Sequence, residues 1–437
     1  MQWGKLPMRT LIAAGILCLL LPVTCLSQLP TDDPKEAQKR WYDPVAERED
    51  LTPGAFEVLR FPINYTYQSK YKHDPKNSKF ILNPDFYCSE CYREGRIAKT
   101  DRSGSRLMEQ PEEEVLGWIS RITKSRPILI EDRQFRLYAD LPPLNTRLFK
   151  NQFLKEELLE LSDIFPKINE KTVGLSSHEV SHLYLIRAHR LLRDLLWMVG
   201  NTEEGIKKAY PYLGPYLGMN ARQEIYIFAR QRSYEEWGTR YIGRTSTDGQ
   251  CWHLFVDRFM ALGMHAQGHE DPQTTNYMFH RLLHNLIDAY RHYGFKLPAW
   301  FQEGMGHWVE RRESERYNSF CFSEGTIPKV LYASRWLPRV RKMVAKGEVE
   351  PFVSMCSLEE YGQLPLEYHT ICWSWVCYLW RLGPEKMQIF INELKAKVPA
   401  ESLYQAQIRA FQKAYGLTLL QFEEGWKAWV LETYPSV

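Results

Sequence analysis

The chain has 437 residues, 44% of them hydrophobic and 14% aromatic, enough apolar side chain to build a large core. Its 56 Lys and Arg against 53 Asp and Glu leave a formal charge of +3, which gives no electrostatic footprint for nucleic acid or an acidic membrane surface. No stretch after the first 27 residues approaches transmembrane length, so no stable membrane span is expected.

Residues 1–27 read as a signal peptide: Lys5 and Arg9 form a basic start, Leu11 to Leu21 a short apolar run, and small or polar residues lead to Ser27. The mature protein is therefore expected to be exported and to reside in the periplasm, at the cell surface or outside the cell. Residues 28–126 form an N-terminal extension of unknown role. Within it, 28–53 is a polar linker, Phe56 to Gln68 is strand-like but broken by Pro62, and Ser69 to Gln110 reads as loop. Pro111 followed by three glutamates opens a short helix.

Cysteines bear on the compartment. If Cys18 and Cys25 leave with the signal, seven of the nine remain, an odd number. Cys88-Ser-Glu-Cys91 can be a small-loop disulfide, a redox pair or half of a metal knuckle. There is no second CxxC, and Tyr92 rather than histidine follows Cys91, so neither a zinc ribbon nor a c-type haem site is present. An oxidising compartment favours the disulfide.

From residue 127 the pattern becomes regular. Strands are expected at Pro127 to Leu141, Arg222 to Ala229 and Cys251 to Val256, and helices at Lys155 to Phe165, His178 to Val199 and near Tyr234 to Tyr241. Gly263 to Thr275 reads as a loop. Helical periodicity dominates afterwards, at Leu331–Val344, Tyr368–Leu382, Pro384–Ala396, Leu403–Tyr415 and Leu420–Tyr434. Strands followed by helices predict an α+β domain over 127–437, with sheet and metal-type helix in 127–293 and a helical subdomain in 294–437.

The stretch from Thr274 to Arg312 concentrates the chemistry. His280 and His284 are four residues apart, hence on one face of a helix, and Glu303 follows after a turn at Pro298. Two imidazoles and a carboxylate from the next helix are a zinc ligand set with an open position. Their other reading is two core histidines and a helix-start acid. A literal HExxH also occurs at His178-Glu179-Val180-Ser181-His182. There Ser176 three residues before Glu179 fits a capping box, which would turn Glu179 back onto the backbone. As a metal or catalytic site, His178, Glu179 and His182 would need a third ligand such as Glu203 or Glu204.

The segments HRLLHNLIDAY and LPAWFQEGMGHWVE resemble the gluzincin clan of zinc metallopeptidases, in particular peptidase-MA-like proteins with HExxH followed by PxWxxEGxAxYxE. The resemblance extends over about 130–437. It implies a zincin-like fold, zinc as cofactor, His280, His284 and Glu303 as ligands, a peptide or protein ligand in the cleft, and an oxyanion-steadying role for His369 or Tyr368. The family's catalytic glutamate falls on Arg281. That glutamate takes a proton from water and passes it on, and arginine stays protonated and cannot. The expectation is thus a zinc-binding but inactive or atypical metallopeptidase relative. The alternatives are an active hydrolase with a relocated base (Glu310, His307, Asp288, His265 or His269) or one using 178–182. A third is a metal-free structural envelope protein in which Arg281 pairs with Glu303.

Overall fold

The computed structural model describes residues 73–436 except 75–76, 82–85, 98–111, 125, 149–152, 245, 255–258, 293–295, 321–334, 359–360 and 397. The signal segment, the linker, the strand expected at 56–68 and Cys321 lie outside the described residues. No helix among the described residues is long and apolar enough to cross a membrane.

The chain forms β1 (His73–Asp74), β2 (Asn77–Ile81), β3 (Tyr87–Cys88), α1 (Ser89–Arg93), α2 (Glu112–Thr123), β4 (Ile128–Glu131), β5 (Phe135–Asp140), β6 (Leu144–Asn145) and α3 (Leu154–Ser162). It continues through β7 (Gly174–Leu175), α4 (Ser177–Met198), α5 (Glu203–Ala209), β8 (Gln223–Phe228), α6 (Gln231–Trp237), β9 (Gln250–Leu254), β10 (Phe259–His265) and α7 (Asp271–Ala289). α8 (Ala299–Glu313), α9 (Trp336–Lys346), α10 (Phe352–Cys356), α11 (His369–Arg381), α12 (Pro384–Leu394), α13 (Leu403–Tyr415) and α14 (Leu419–Thr433) complete an α+β protein with a helical C-terminal region.

The main sheet has the order β3-β4-β5-β8-β10-β9, parallel at β5/β8 and β8/β10 and antiparallel elsewhere. Period-two alternation sorts its side chains into two cores. Ile225 and Ile227 of β8 face the larger core with α4 and α7, whereas Tyr226 and Phe228 face Trp118 of α2 and Tyr234 and Trp237 of α6. The parallel strands thus lie between helices on both faces, as strands joined by crossovers must.

Two expectations change. Gly263 to Thr275 is not a loop, because β10 runs to His265 and α7 begins at Asp271. Gly263 reads as a breaker in sequence, yet a Cβ there would meet Trp237 at 2.5 Å and Trp252 at 2.7 Å, so the strand needs it for packing. Within 69–110, which reads as loop, the described residues include β1, β2, β3 and α1. β3 pairs with β4, and Phe86, Cys88, Cys91 and Ile97 enter the larger core, so sheet and core run across residue 127.

A buried ion network fixes the helix layer. Arg187 of α4 makes a bidentate pair with Asp271, the first residue of α7 (2.8 and 3.0 Å), and bonds Glu157 of α3 at 3.1 Å. One turn on, Arg190 grips Glu313 at the end of α8 (2.6 and 2.8 Å) and Glu157 (2.9 Å). Tyr184 donates to Asp271 at 2.9 Å. The start of α7 and the end of α8 are thereby tied to one helix. Removing one partner from a buried pair leaves an uncompensated charge, which costs about 3–5 kcal/mol. Arg187→Met is accordingly expected to lower the urea midpoint strongly. A surface control such as Lys155→Met, whose pair with Glu170 is exposed, should barely move it.

Candidate metal centre

α7 and α8 pack side by side, and their facing residues are fully or nearly fully buried: His280, His284, Glu303, His307 and Glu310, joined by His369 from the start of α11. Two glycines permit this closeness. A Cβ on Gly304 would meet the Cys372 carbonyl oxygen at 2.5 Å, so its absence lets α11 approach α8 and bring in His369. A Cβ on Gly306 would meet three ring atoms of His280 at 2.8–2.9 Å. The small residues around Glu303 are therefore a steric condition for the cluster.

Five of these side chains close a ring. Glu310 Oε1 lies 2.6 Å from His307 Nδ1, and His307 Nε2 lies 2.8 Å from His369 Nδ1. Glu303 Oε2 is 3.3 Å from both His369 Nδ1 and His280 Nε2, and His280 Nδ1 is 3.4 Å from Glu310 Oε2. Glu310 only accepts, also from the Ser319 amide at 2.9 Å, so His307 donates through Nδ1 and accepts from His369 through Nε2. Burial pushes His307 down to about 3 despite Glu310, which fits this neutral tautomer. Burial alone would raise both carboxylates. The surrounding imidazoles outweigh it, holding Glu310 down at about 2 and Glu303 well below the usual carboxylate range.

His280, His284 and Glu303 each place a donor atom within 4.8 Å of the other two. The same holds for Glu303, His307 and His369, and for His280, His307 and Glu310. Both Glu303 oxygens are buried without a hydrogen bond of normal geometry, and Oε2 faces imidazole nitrogens. If His280 donates through Nδ1 to Glu310, its Nε2 lone pair points at the Glu303 carboxylate. Two lone pairs facing each other need a proton or a cation between them. The donor set fits a divalent ion, with Glu310 orienting His280 from behind as carboxylates do for metal-bound histidines. The His284 ring is held at the first turn of α8, Nε2 lying 3.0 Å from Gln302 O.

Arg281 points elsewhere. Its Nε donates to Gly249 O at 2.6 Å, its Nη2 to Phe320 O at 3.0 Å, and the guanidinium lies over the Tyr277 ring. The ion pair with Glu303 expected for the metal-free reading is thus replaced by carbonyl contacts next to β9, because position 281 lies on a different face of α7 from His280 and His284. Of the two candidates near α11, His369 joins the cluster, whereas Tyr368 accepts from the Glu350 amide. His265, at the end of β10, stacks on His269 in the turn before α7, and Asp288 accepts from Gln302.

The literal HExxH resolves differently. Glu179 completes a capping box, accepting from the Ser176 amide at 2.7 Å, which removes it from base chemistry. Glu203 accepts from Gln134, not from the histidines. His178 and His182 gather with Cys88 and Cys91, both free thiols, so the expected disulfide is not formed. In the sequence these are two incomplete motifs about ninety residues apart. The available signal was that a CxxC without a second pair and an HxxxH without a third ligand complete each other.

Fold and site together define an α+β protein with buried His, Cys and Glu clusters that can hold metal ions. Comparison with protein-family models, curated proteins and solved structures gives no match.

Two outcomes follow from the geometry. Gly306→Ala forces a methyl against the rigid His280 ring and should cost about 1–3 kcal/mol, read as a lower urea midpoint. An unchanged midpoint would mean the ring has room to move. The pH dependence has a definite sign. His307 falls from an ordinary 6.5 to about 3 and Glu310 from 4.5 to about 2, so in both windows the unfolded chain binds more protons than the folded one. Their stabilisation is complete above about pH 6.5, declines as pH falls toward 3, and declines more steeply below 4.5, where Glu310 and Glu303 contribute. Urea unfolding of chelator-treated protein from pH 8 to 4 should show this. A flat midpoint would contradict it.

Proposed function

We propose that the chain is an exported, zincin-like protein of the gluzincin type that holds zinc at His280, His284 and Glu303 and has lost the hydrolytic step. The observation that carries this reading is the convergence of those three buried donors from two adjacent helices, with an arginine bonded to two backbone carbonyls where the general base belongs. Bound there, zinc supplies a Lewis acid that polarises an oxygen ligand. The chain's own residues do the rest: Glu310 fixes the His280 ring, His369 lies against Glu303, and Arg281 remains a cation that takes no proton.

The substitute bases are otherwise occupied. Glu310 is enclosed by His280, His307 and the Ser319 amide, and His307 lies between Glu310 and His369. We assign the protein a binding role, with an extended peptide or partner segment as ligand. β9 ends the main sheet among the described residues, and an outermost strand can accept an added one. A metal-free reading has one observation in its favour, the closed ring itself, which is self-consistent if His280 is an imidazolium between Glu303 and Glu310.

Metal analysis of the full chain with peptide-hydrolysis assays separates these readings. Wild-type protein is expected to lose one equivalent of zinc on His284→Ala and to hydrolyse unstructured peptides no faster than a metal-stripped control. Hydrolysis that His284→Ala abolishes overturns the loss of catalysis. Zinc content unchanged by both His284→Ala and Glu303→Gln overturns the metal assignment and leaves the imidazolium ring.

A further inference from the structure

The N-terminal end of α4 carries a second centre, chemically unlike the first. Cys88 stands at the end of β3, Cys91 in the single turn of α1, and His178 and His182 one turn apart at the start of α4. The four converge although about ninety residues separate the pairs, and all are buried. Cys88 Sγ lies 3.2 Å and Cys91 Sγ 3.3 Å from His178 Nε2, and Cys91 Sγ lies 3.7 Å from His182 Nε2.

These separations discriminate between chemistries. Four ligands placed tetrahedrally around zinc, with bonds of about 2.3 Å to sulfur and about 2.0–2.1 Å to nitrogen, are about 3.5 Å apart from sulfur to nitrogen. The three contacts bracket that value. A hydrophobic packing of two thiols and two imidazoles has no reason to aim both Nε2 atoms at the sulfurs. A disulfide would instead bring the sulfurs to about 2.05 Å from each other, and the two cysteines are free.

The surroundings are those of a metal centre. The Cys91 amide points at Cys88 Sγ at 3.5 Å, the Arg96 guanidinium at Cys91 Sγ at 3.7 Å, and Glu94 Oε1 lies 3.4 Å from His178 Nδ1. Phe165 packs edge-on against both imidazoles, at 5.0 and 5.2 Å between ring centres, and Phe86 lies 5.7 Å from His182. Apolar rings wall the cluster, and a carboxylate backs one histidine from outside.

We propose that Cys88, Cys91, His178 and His182 form a closed, four-coordinate structural zinc site that pins residues 86–97 to α4. Binding releases the two thiol protons to solvent, so a divalent ion with two thiolates and two neutral imidazoles makes a centre of zero net charge. All four positions are filled by protein, which leaves none for substrate and sets this site apart from the His280 centre. Soft thiolate with imidazole selects zinc over magnesium or calcium. The site does not depend on the proposed function, since it shares no ligand with it.

Cobalt loading of the full chain, purified under reducing conditions and stripped of metal, tests the site. Only a sulfur-ligated cobalt gives an intense thiolate-to-metal charge-transfer band. The wild type should show that band with tetrahedral visible absorption. His284→Ala should keep it, and Cys91→Ser and His182→Ala should weaken or lose it together with one equivalent of bound zinc. If either variant fails to fold, the wild type still decides: thiol alkylation with peptide mapping should find Cys88 and Cys91 protected with zinc and reactive after chelation. Absence of the charge-transfer band, equal alkylation with and without chelator, or a mapped Cys88–Cys91 disulfide in the folded chain overturns the proposal. Loss of the His280 centre alone leaves one zinc equivalent and the sulfur band intact, so the two failures are distinguishable.

Discussion

The structure depends on the buried pairing of Arg187 and Arg190 with Asp271, Glu157 and Glu313. These charges sit where water cannot screen them, and a guanidinium fork meeting a carboxylate in two parallel bonds tolerates little displacement. Hydrophobic contacts would let α7 and α8 slide over α4 at small cost. The ion network does not, because a slip of one turn would strand a charge in the core. It fixes the start of α7 and the end of α8, the outer ends of the helix pair whose inner faces carry His280 and Glu303. The same α4 presents His178 and His182 one to three turns earlier. One helix thus registers both donor clusters.

Charge balance gives the clusters their character. Around His280 there are two carboxylates held ionised and imidazoles of which His307 is held neutral. An enclosed region of this kind carries excess negative charge; a proton on His280 cancels one of the two carboxylate charges, and a divalent ion matches both with no remainder. Around Cys88 the donors are soft and the walls aromatic. Two distinct donor chemistries in one core are better explained by two demands than by one polar network spread at random. A self-satisfied network would pair its hydrogen bonds at ordinary lengths, whereas Glu303 meets its neighbours at 3.3 Å.

Much of this was legible in the sequence, and the boundary is physical. Helices with caps or clear periodicity, such as those beginning after Ser176, Ser402 and Thr418, announce themselves locally. The His280–His284–Glu303 frame was readable because helical spacing and a Pro turn are local too. The capping role of Glu179 was equally so. What failed to show was whatever depends on contacts distant in sequence. β10 contains a glycine that only Trp237 and Trp252 explain. Cys88 and Cys91 looked like a disulfide until α4 brought His178 and His182 to them. His369 carries no spacing that marks it, and it joins Glu303 only because Gly304 lets α11 approach, whereas His307 lies one turn after Glu303 on the same helix.

Arg281 bears most directly on what the proposed fold can do. Its side chain is no vestige occupying the place of a base. It satisfies the carbonyl of Gly249 beside β9 and the carbonyl of Phe320 beyond α8, and it stacks on Tyr277 from its own helix. Two acceptors converge on this position, so a glutamate placed there would meet like charge and leave both carbonyls without their donor. Recovering a general base would require moving the segment after α8 and the approach to β9 as well as changing one residue. On the proposed reading, catalysis is blocked by the architecture around position 281, and the arginine that replaced the base has become part of what holds the edge of the sheet to the metal-binding helix.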